Sequence, residues 1–359
     1  MKSTYKIALF LFLIPLMGFA NTETNPKQEK SKTIKKEYSV SSDATVHLNN
    51  KYGNLNITTW DKNRVEITVV ITVKGNDLST VERKLRGITV DFNATSDMVS
   101  AKTRFEKSSR SWSFWGKSKK ASYQVHYTVK MPASNNIKLN NDYGNILLNE
   151  INGSTDIDCD YGKIIIGDLN SSDNKINIDY CNGSSINFMK SGDINADYSK
   201  LTVDKTDKVK VNSDYSTITI GAANTVTFNA DYGSINVDDV NDITGNTDYV
   251  SIRLGTVSKN LNIDADYGSI KIKELAKGFD RAEISGEYAS ISIGVKPNTN
   301  FNFVMDLSYA SFKYNDSRVD MRKSIEKSSK KHYEGTYGKG SSNSKLIIKS
   351  QYGGVKINE

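Results

Sequence analysis

Nine acidic residues each stand immediately before a tyrosine that recurs at a near-constant interval: Asp142, Asp160, Asp179, Asp197, Asp214, Asp231, Asp248, Asp266 and Glu287. Brought into line, they would make an oxygen-rich edge of the kind that hard cations such as Ca²⁺ take. The competing reading is a turn, in which each Asp side chain accepts a hydrogen bond from the backbone N–H two residues on. The spacing favours the turn, because calcium-binding repeats place Gly and Asp more densely than this. The tyrosines carry a second possibility. Stacked at one corner, they would offer a surface for sugar rings or an aromatic ladder packed against the protein. Their parity with the preceding apolar and small positions predicts that they face inward.

Little else has the spacing of catalysis. His47, His126 and His332 lie far apart and lack metal-ligand spacing. No nucleophile elbow, HExxH helix or phosphate loop is present. Carboxylates are spread along the whole chain and single out no acid–base pair. Cys159 and Cys181, the two cysteines, fall three residues apart in repeat phase, so they are expected to be too distant to bond. No cofactor and no metal is expected, and the chain reads as a non-enzyme.

Two stretches stand apart from the pattern. "KTRFEKSSRSWSFWGKSKKAS", 102–122, sets Lys102, Arg104, Lys107, Arg110, Lys117, Lys119 and Lys120 against Glu106 and adds Trp112, Phe114 and Trp115. Tryptophans among cations suit anionic lipid headgroups or anionic glycans; the alternative is a hairpin whose tryptophans fold back on the protein. The candidate partner-binding residues are therefore Arg110, Trp112, Phe114, Trp115, Lys117, Lys119 and Lys120. "SRVDMRKSIEKSSKKHYEG", 317–335, is also basic and reads as a solvated loop. The formal charge of +7 thus comes from these insertions and from the basic stretch 21–36, over an acidic body. That is no nucleic-acid stripe, and none is expected as a partner.

The elements that position these residues follow from a repeat. Tyr143, Tyr161, Tyr180, Tyr198, Tyr215, Tyr232, Tyr249, Tyr267, Tyr288 and Tyr309 recur every 17 to 21 residues, with Tyr52 and Tyr352 in similar flanks. Apolar residues fall four and six places before the tyrosine, as Ile263 and Leu261 before Tyr267, and three and five places after it, as Ile235 and Val237 after Tyr232. Both flanks alternate with period two, the mark of strands. The alternation slips at the tyrosine, and the Gly, Ser or Ala that usually follows is expected to bend the chain. A unit this short cannot close its own core, so copies must stack. The expectation is an all-β fold: a single-stranded right-handed β-helix, or solenoid, over 132–359, with a polar basic insertion at 315–345 and "SKLIIKSQYGGVKINE" as its last rung. Residues 37–131 are expected to form a β-rich N-terminal cap with one short helix begun by Asp77. Residues 21–36 are expected to be a polar tether. Residues 1–20 have the basic start, short apolar run and small residues of a secretory signal peptide. No later stretch is apolar enough to cross a membrane.

"GNLNITTWDKNRVEITVVITVKG", "YQVHYTVKMPASNNIKLNNDYGNILL" and the tandem "DYGSI" units together resemble the bacterial adhesin-type family of exported β-strand-repeat proteins. The resemblance covers about 37–359 and implies a single-stranded right-handed β-helix at the cell envelope, with no catalytic residues to carry over. The function expected is that of an exported, non-enzymatic, adhesin-like interaction protein of the periplasm or cell surface. Its partner would be an unidentified glycan, anionic lipid or protein. The alternatives are an envelope-stress or membrane-associated sensor working through Trp112 and Trp115, and, less favoured, a β-helix enzyme acting on polysaccharide.

Overall fold

The computed structural model describes residues 27–106 and 121–359. These form an all-β protein in which the strands join one sheet, with a single α-helix, Leu78–Arg86, among the described residues. Successive copies of the repeat pair with one another in parallel. Before the tyrosine, Asp142, Asp160, Asp179, Asp197 and Asp214 are register partners in turn. After it, Ile146 lies beside Ile164, Ile166 beside Ile186, and Ile186 beside Val203. The inward positions are fully buried, as at Ile176, Ile178, Ile218 and Ile220. Each such side chain contributes roughly 1.5–3 kcal/mol, and a one-residue slip would turn the whole ladder to solvent.

The bend lies on the tyrosine and not, as its small successor suggested, on the residue after it. All twelve tyrosines of the repeat have φ between 49° and 65°, a left-handed conformation that costs a residue with a Cβ about 1–2 kcal/mol. The following residue is confined for another reason: it points into the corner. A Cβ on Gly162 would stand 2.0 Å from the Gly144 carbonyl oxygen of the neighbouring copy, while Ser199, Ser216 and Ala289 fill the same place as small buried side chains. The left-handed turn also reverses the parity inferred for the ring. From Tyr143 to Tyr352 the repeat tyrosines are 43–63% exposed, so they face outward rather than inward. Their N–H groups still join the ladder: Tyr143 donates to the Asp160 carbonyl at 2.8 Å, and Tyr161 to that of Asp179 at 3.0 Å.

The same corner corrects the reading of the cysteines. Cys159 and Cys181 both point into it from adjacent copies, and their sulfurs are 3.8 Å apart, in contact but unbonded. The adjacent Cys181 sulfur and burial together push the Cys159 thiol well above the ordinary thiol range.

At the N-terminal end, Thr45–Lys51 lies between Asn136–Asp142 and Met98–Phe105. Arg64–Gly75 pairs antiparallel with Ala121–Pro132. The helix begins where the sequence placed it: an Asp77 carboxylate oxygen accepts from the Thr80 N–H at 2.9 Å. Residues 28–36 are strand rather than tether. Gln28–Ser39 runs antiparallel along Arg64–Gly75, with Ile34 opposite Val69 and Tyr38 opposite Val65. Alternating Ile34 and Tyr38 give this polar stretch the apolar face that holds it there.

At the other end, chain order and stacking order part. The C-terminal strands do not come last. Lys345–Gln351 lies between Arg281–Glu287 and Phe301–Ser308, parallel to both. Gly354–Asn358 likewise lies between Ser290–Val295 and Ser311–Lys313. Much of the presumed insertion at 315–345 is a hairpin, Val319–Lys327 with Lys330–Tyr337, added antiparallel to Phe301–Ser308. Tyr333 and Tyr337 turn its apolar face inward, with Tyr337 stacked on Phe301 at 5.1 Å. The hairpin covers what would otherwise be an unpaired edge.

The strained tyrosine makes a direct prediction. Replacing Tyr198 by Ala removes two ring contacts and keeps the left-handed cost, so urea unfolding should show a loss of about 1–3 kcal/mol. Tyr198→Gly removes the same contacts and also the strain, and should recover about 1 kcal/mol of that loss. If Gly proves no better than Ala, the account of the corner is wrong.

A tyrosine and carboxylate edge as the candidate functional site

The left-handed corners place the rings in one file. In stacking order they run Tyr52, Tyr143, Tyr161, Tyr180, Tyr198, Tyr215, Tyr232, Tyr249, Tyr267, Tyr288, Tyr352 and Tyr309. Neighbouring centroids are 4.7–5.2 Å apart and neighbouring planes within 11° of parallel. At one strand spacing per step the file is on the order of 50 Å long. This geometry decides between the two readings of the tyrosines. Each interior ring has a neighbour on both faces, so no face is open to a sugar ring. What meets solvent is the ring edge with its hydroxyl. At the N-terminal end, Phe105 and Tyr123 pack edge-on against Tyr52 at 5.8 and 5.1 Å.

The carboxylates do line up beside the rings, as the in-register pairing requires. Asp142 is held by Lys51 at 3.2 Å. Among the described residues the other aspartates of the row make no ion pair. Partial burial first, and then neighbouring carboxylates, raise the pKa values of Asp160, Asp179 and Asp214. Desolvation first, and then adjacent phenols and carboxylates, raise those of Tyr161, Tyr198, Tyr232 and Tyr267. The phenols therefore stay protonated at neutral pH and can donate. The row is not a series of Asx turns: among the described residues no amide two places on donates to these carboxylates, and the tyrosine's own φ makes the turn. Nor do the described residues include a group of three His, Cys, Asp or Glu arranged to hold a metal ion.

A third polar file flanks the edge. Asn195 donates its side-chain amide to Asn177 at 2.7 Å, Asn212 to Asn195 at 2.9 Å, and Asn229 to Asn212 at 3.4 Å. On the other side Ser234 donates to Thr217 at 3.3 Å, and Ser251 and Ser269 share a bond at 3.3 Å. The edge is a periodic strip of amides, carboxylates, phenols and hydroxyls, and it can exchange hydrogen bonds with a long partner.

The sequence-predicted loop residues Arg110, Trp112, Phe114, Trp115, Lys117, Lys119 and Lys120 lie outside the described residues. The strands that flank them end at Phe105 and begin at Ala121, beside the first ring of the file. The histidines stay apart. His47 meets Asn140 at 3.3 Å, and His126 accepts from the Asn54 N–H at 3.1 Å. His332 lies between Asp306 and Glu334, 2.7 Å from each. The hydrogen bond to Asp306, then that to Glu334, raises the His332 pKa; His332, with Lys323, holds Glu334 down at about 2.

One signal for the outward ring was present in the sequence. Small residues occur both two places before the tyrosine and one place after it. Two small positions flanking one corner mean that both point in, which leaves the tyrosine to point out.

No family model matches the chain, and no curated protein matches it. Among solved structures it is similar to a putative cell adhesion protein from Clostridium sporogenes ATCC 15579, with 10% identity, 92% of this chain and 99% of that chain covered, and a TM-score of 0.19. It is similar to a putative adhesin from Parabacteroides merdae ATCC 43184, with 13% identity, 74% and 92% covered, and a TM-score of 0.29. A putative lipid binding protein from Parabacteroides distasonis ATCC 8503 is 7% identical over 91% and 97% of the two chains, with a TM-score of 0.26.

The charge pattern predicts an unusual pH response. Asp160, Asp179 and Asp214 bind protons more tightly folded than unfolded, so they add stability as pH falls from their raised folded values toward the ordinary carboxylate range. His332 adds stability as pH falls through its own raised value, and Glu334 gives its stabilisation up progressively as pH falls from the ordinary glutamate range to about 2. The urea midpoint should therefore rise as pH falls from 8 to about 6, where His332 takes up its proton, and fall again below about pH 4, where Glu334 gives its contribution up. His332→Gln should flatten the rise; a midpoint that drops steadily from pH 8 to pH 6 would contradict the assignment.

Proposed function

We propose that this protein is an exported β-solenoid that acts by binding rather than by catalysis, in the manner of an adhesin, and that its tyrosine and carboxylate edge grips an extended, polyhydroxylated partner such as a glycan strand. One observation carries the reading: twelve rings present their edges in a single file at one strand spacing, beside parallel files of carboxylates and amides. A partner of repeating chemistry meets the same donor and acceptor set at each step. Many weak contacts then act together, because once one is made the others become intramolecular. The solenoid reading is supported by the in-register parallel pairing of successive copies. Export is supported by the basic, apolar and small-residue succession at 1–20. Among the described residues no helix is long and apolar enough to cross a membrane. The negative row beside the rings disfavours an anionic lipid as the partner of this edge.

The hydroxyl edge can be tested without disturbing the stack. Tyr198→Phe, Tyr215→Phe, Tyr232→Phe and Tyr249→Phe combined keep four rings and remove four donors. On a glycan array, followed by affinity measurement on the best-bound strand, the variant should bind at least tenfold more weakly with an unchanged melting midpoint. Wild-type affinity in the variant would refute the edge as the binding surface.

A further inference from the structure

Where the C-terminal hairpin joins the sheet, a groove of about 640 Å³ crosses six strands. One transverse row of register partners runs along it: Asp266, Glu287, Gln351, Ser308, Lys330 and Lys327. All six line the groove. The row reads acid, acid, neutral, neutral, base, base. Glu287 and Lys330 stand three strands apart, roughly 14 Å between backbones. At that span the two banks do not pair directly, and among the described residues none of Asp266, Glu287, Lys327 and Lys330 makes an ion pair.

The next row shows what satisfied charges look like on this face. There Asp306 and His332 are immediate register partners and bond at 2.7 Å; His332 also bonds Glu334, which takes Lys323 at 3.0 Å. In the first row opposite charges are held apart by Gln351 and Ser308; Gln351 donates one amide N–H to Glu287 at 3.3 Å, and its carbonyl oxygen and the Ser308 hydroxyl can exchange hydrogen bonds with hydroxyls. Such a gap suits a ligand with a cation at one end, an anion at the other and hydroxyls between.

We propose that this groove is a binding site for a saccharide bearing both a free amine and an anionic group, with the ammonium on Asp266 and Glu287, the hydroxyls over Gln351 and Ser308, and the anion on Lys327 and Lys330. The site goes beyond the edge-binding reading and uses no ladder hydroxyl, so either can fail alone. The two carboxylates belong to the row beside the rings, and the two lysines come from the hairpin, which is not part of the repeat; Asp264, Asp306 and Lys349 line the groove in the next row.

Calorimetry on the full chain tests it with glucosamine 6-phosphate, N-acetylglucosamine 6-phosphate, glucosamine and inorganic phosphate. Glucosamine 6-phosphate should bind at least tenfold more tightly than each of the other three. Lys327→Ala with Lys330→Ala should weaken it at least tenfold. Asp266→Asn with Glu287→Gln should remove its advantage over the N-acetylated probe and leave binding of that probe unchanged. All four positions are at the surface, and unchanged melting midpoints verify folding. Equal binding of all probes, no binding of glucosamine 6-phosphate, or indifference to both pairs of substitutions would overturn the proposal.

Discussion

The left-handed tyrosine is the constraint on which the rest depends. Its φ breaks what would otherwise be straight strand: the stretch Lys200–Asp266 is strand throughout, yet turns at Tyr215, Tyr232 and Tyr249. Its N–H keeps the backbone ladder continuous through the corner. Its ring, thrown outward by the turn, lies on the ring of the next copy. A left-handed residue other than Gly costs about 1–2 kcal/mol, and an aromatic contact returns about 0.5–1.5 kcal/mol. Each interior tyrosine has two such contacts, and each contact is shared between two rings. Cost and return are therefore comparable, provided the file is unbroken. That explains why a tyrosine, and not the glycine that such a φ favours, recurs at this place.

The surface is a consequence of that corner. Once the ring points out, the acidic residue before it must lie beside its counterparts; at Asp160 and Asp179 partial burial, and then repulsion from neighbouring carboxylates, raises the proton affinity. The amide file three places before the tyrosine then forms by register alone. Capping works by the same logic of paired edges. The antiparallel hairpin 319–337 ends the stack on Phe301–Ser308, and the C-terminal strand Lys345–Gln351 sits beneath that strand, parallel to both its neighbours. The hairpin brings Lys327 and Lys330, which make no ion pair among the described residues, level with the last carboxylates of the row.

Much of this was legible in the order of residues. The period of 17 to 21, the alternation of Ile and Val, and the small residues around each tyrosine predict strands, in-register stacking and a common corner. The helix start at Asp77 was legible because an N-cap is a local interaction. The direction of the ring was not, because parity carries through a strand but not through a left-handed residue, and no alternation pattern records a φ. Repeat phase separates Cys159 and Cys181 for the same reason, whereas their sulfurs meet at 3.8 Å. Counting phases along the chain ignores a corner that folds two phases onto one point.

What the sequence determined by itself is the repeat: which positions alternate, how far apart the copies lie and which residues share a column. These depend on period and side-chain type, and both are local. Only the tertiary structure decided which way the tyrosine faces, that the C-terminal copy stacks out of chain order, and that a basic hairpin faces an acidic row across a groove. Each of those rests on contacts between residues distant in sequence, such as Lys345–Gln351 between Arg281–Glu287 and Phe301–Ser308. A strand pattern shows that a partner is needed; which partner is set by packing at the end of the stack.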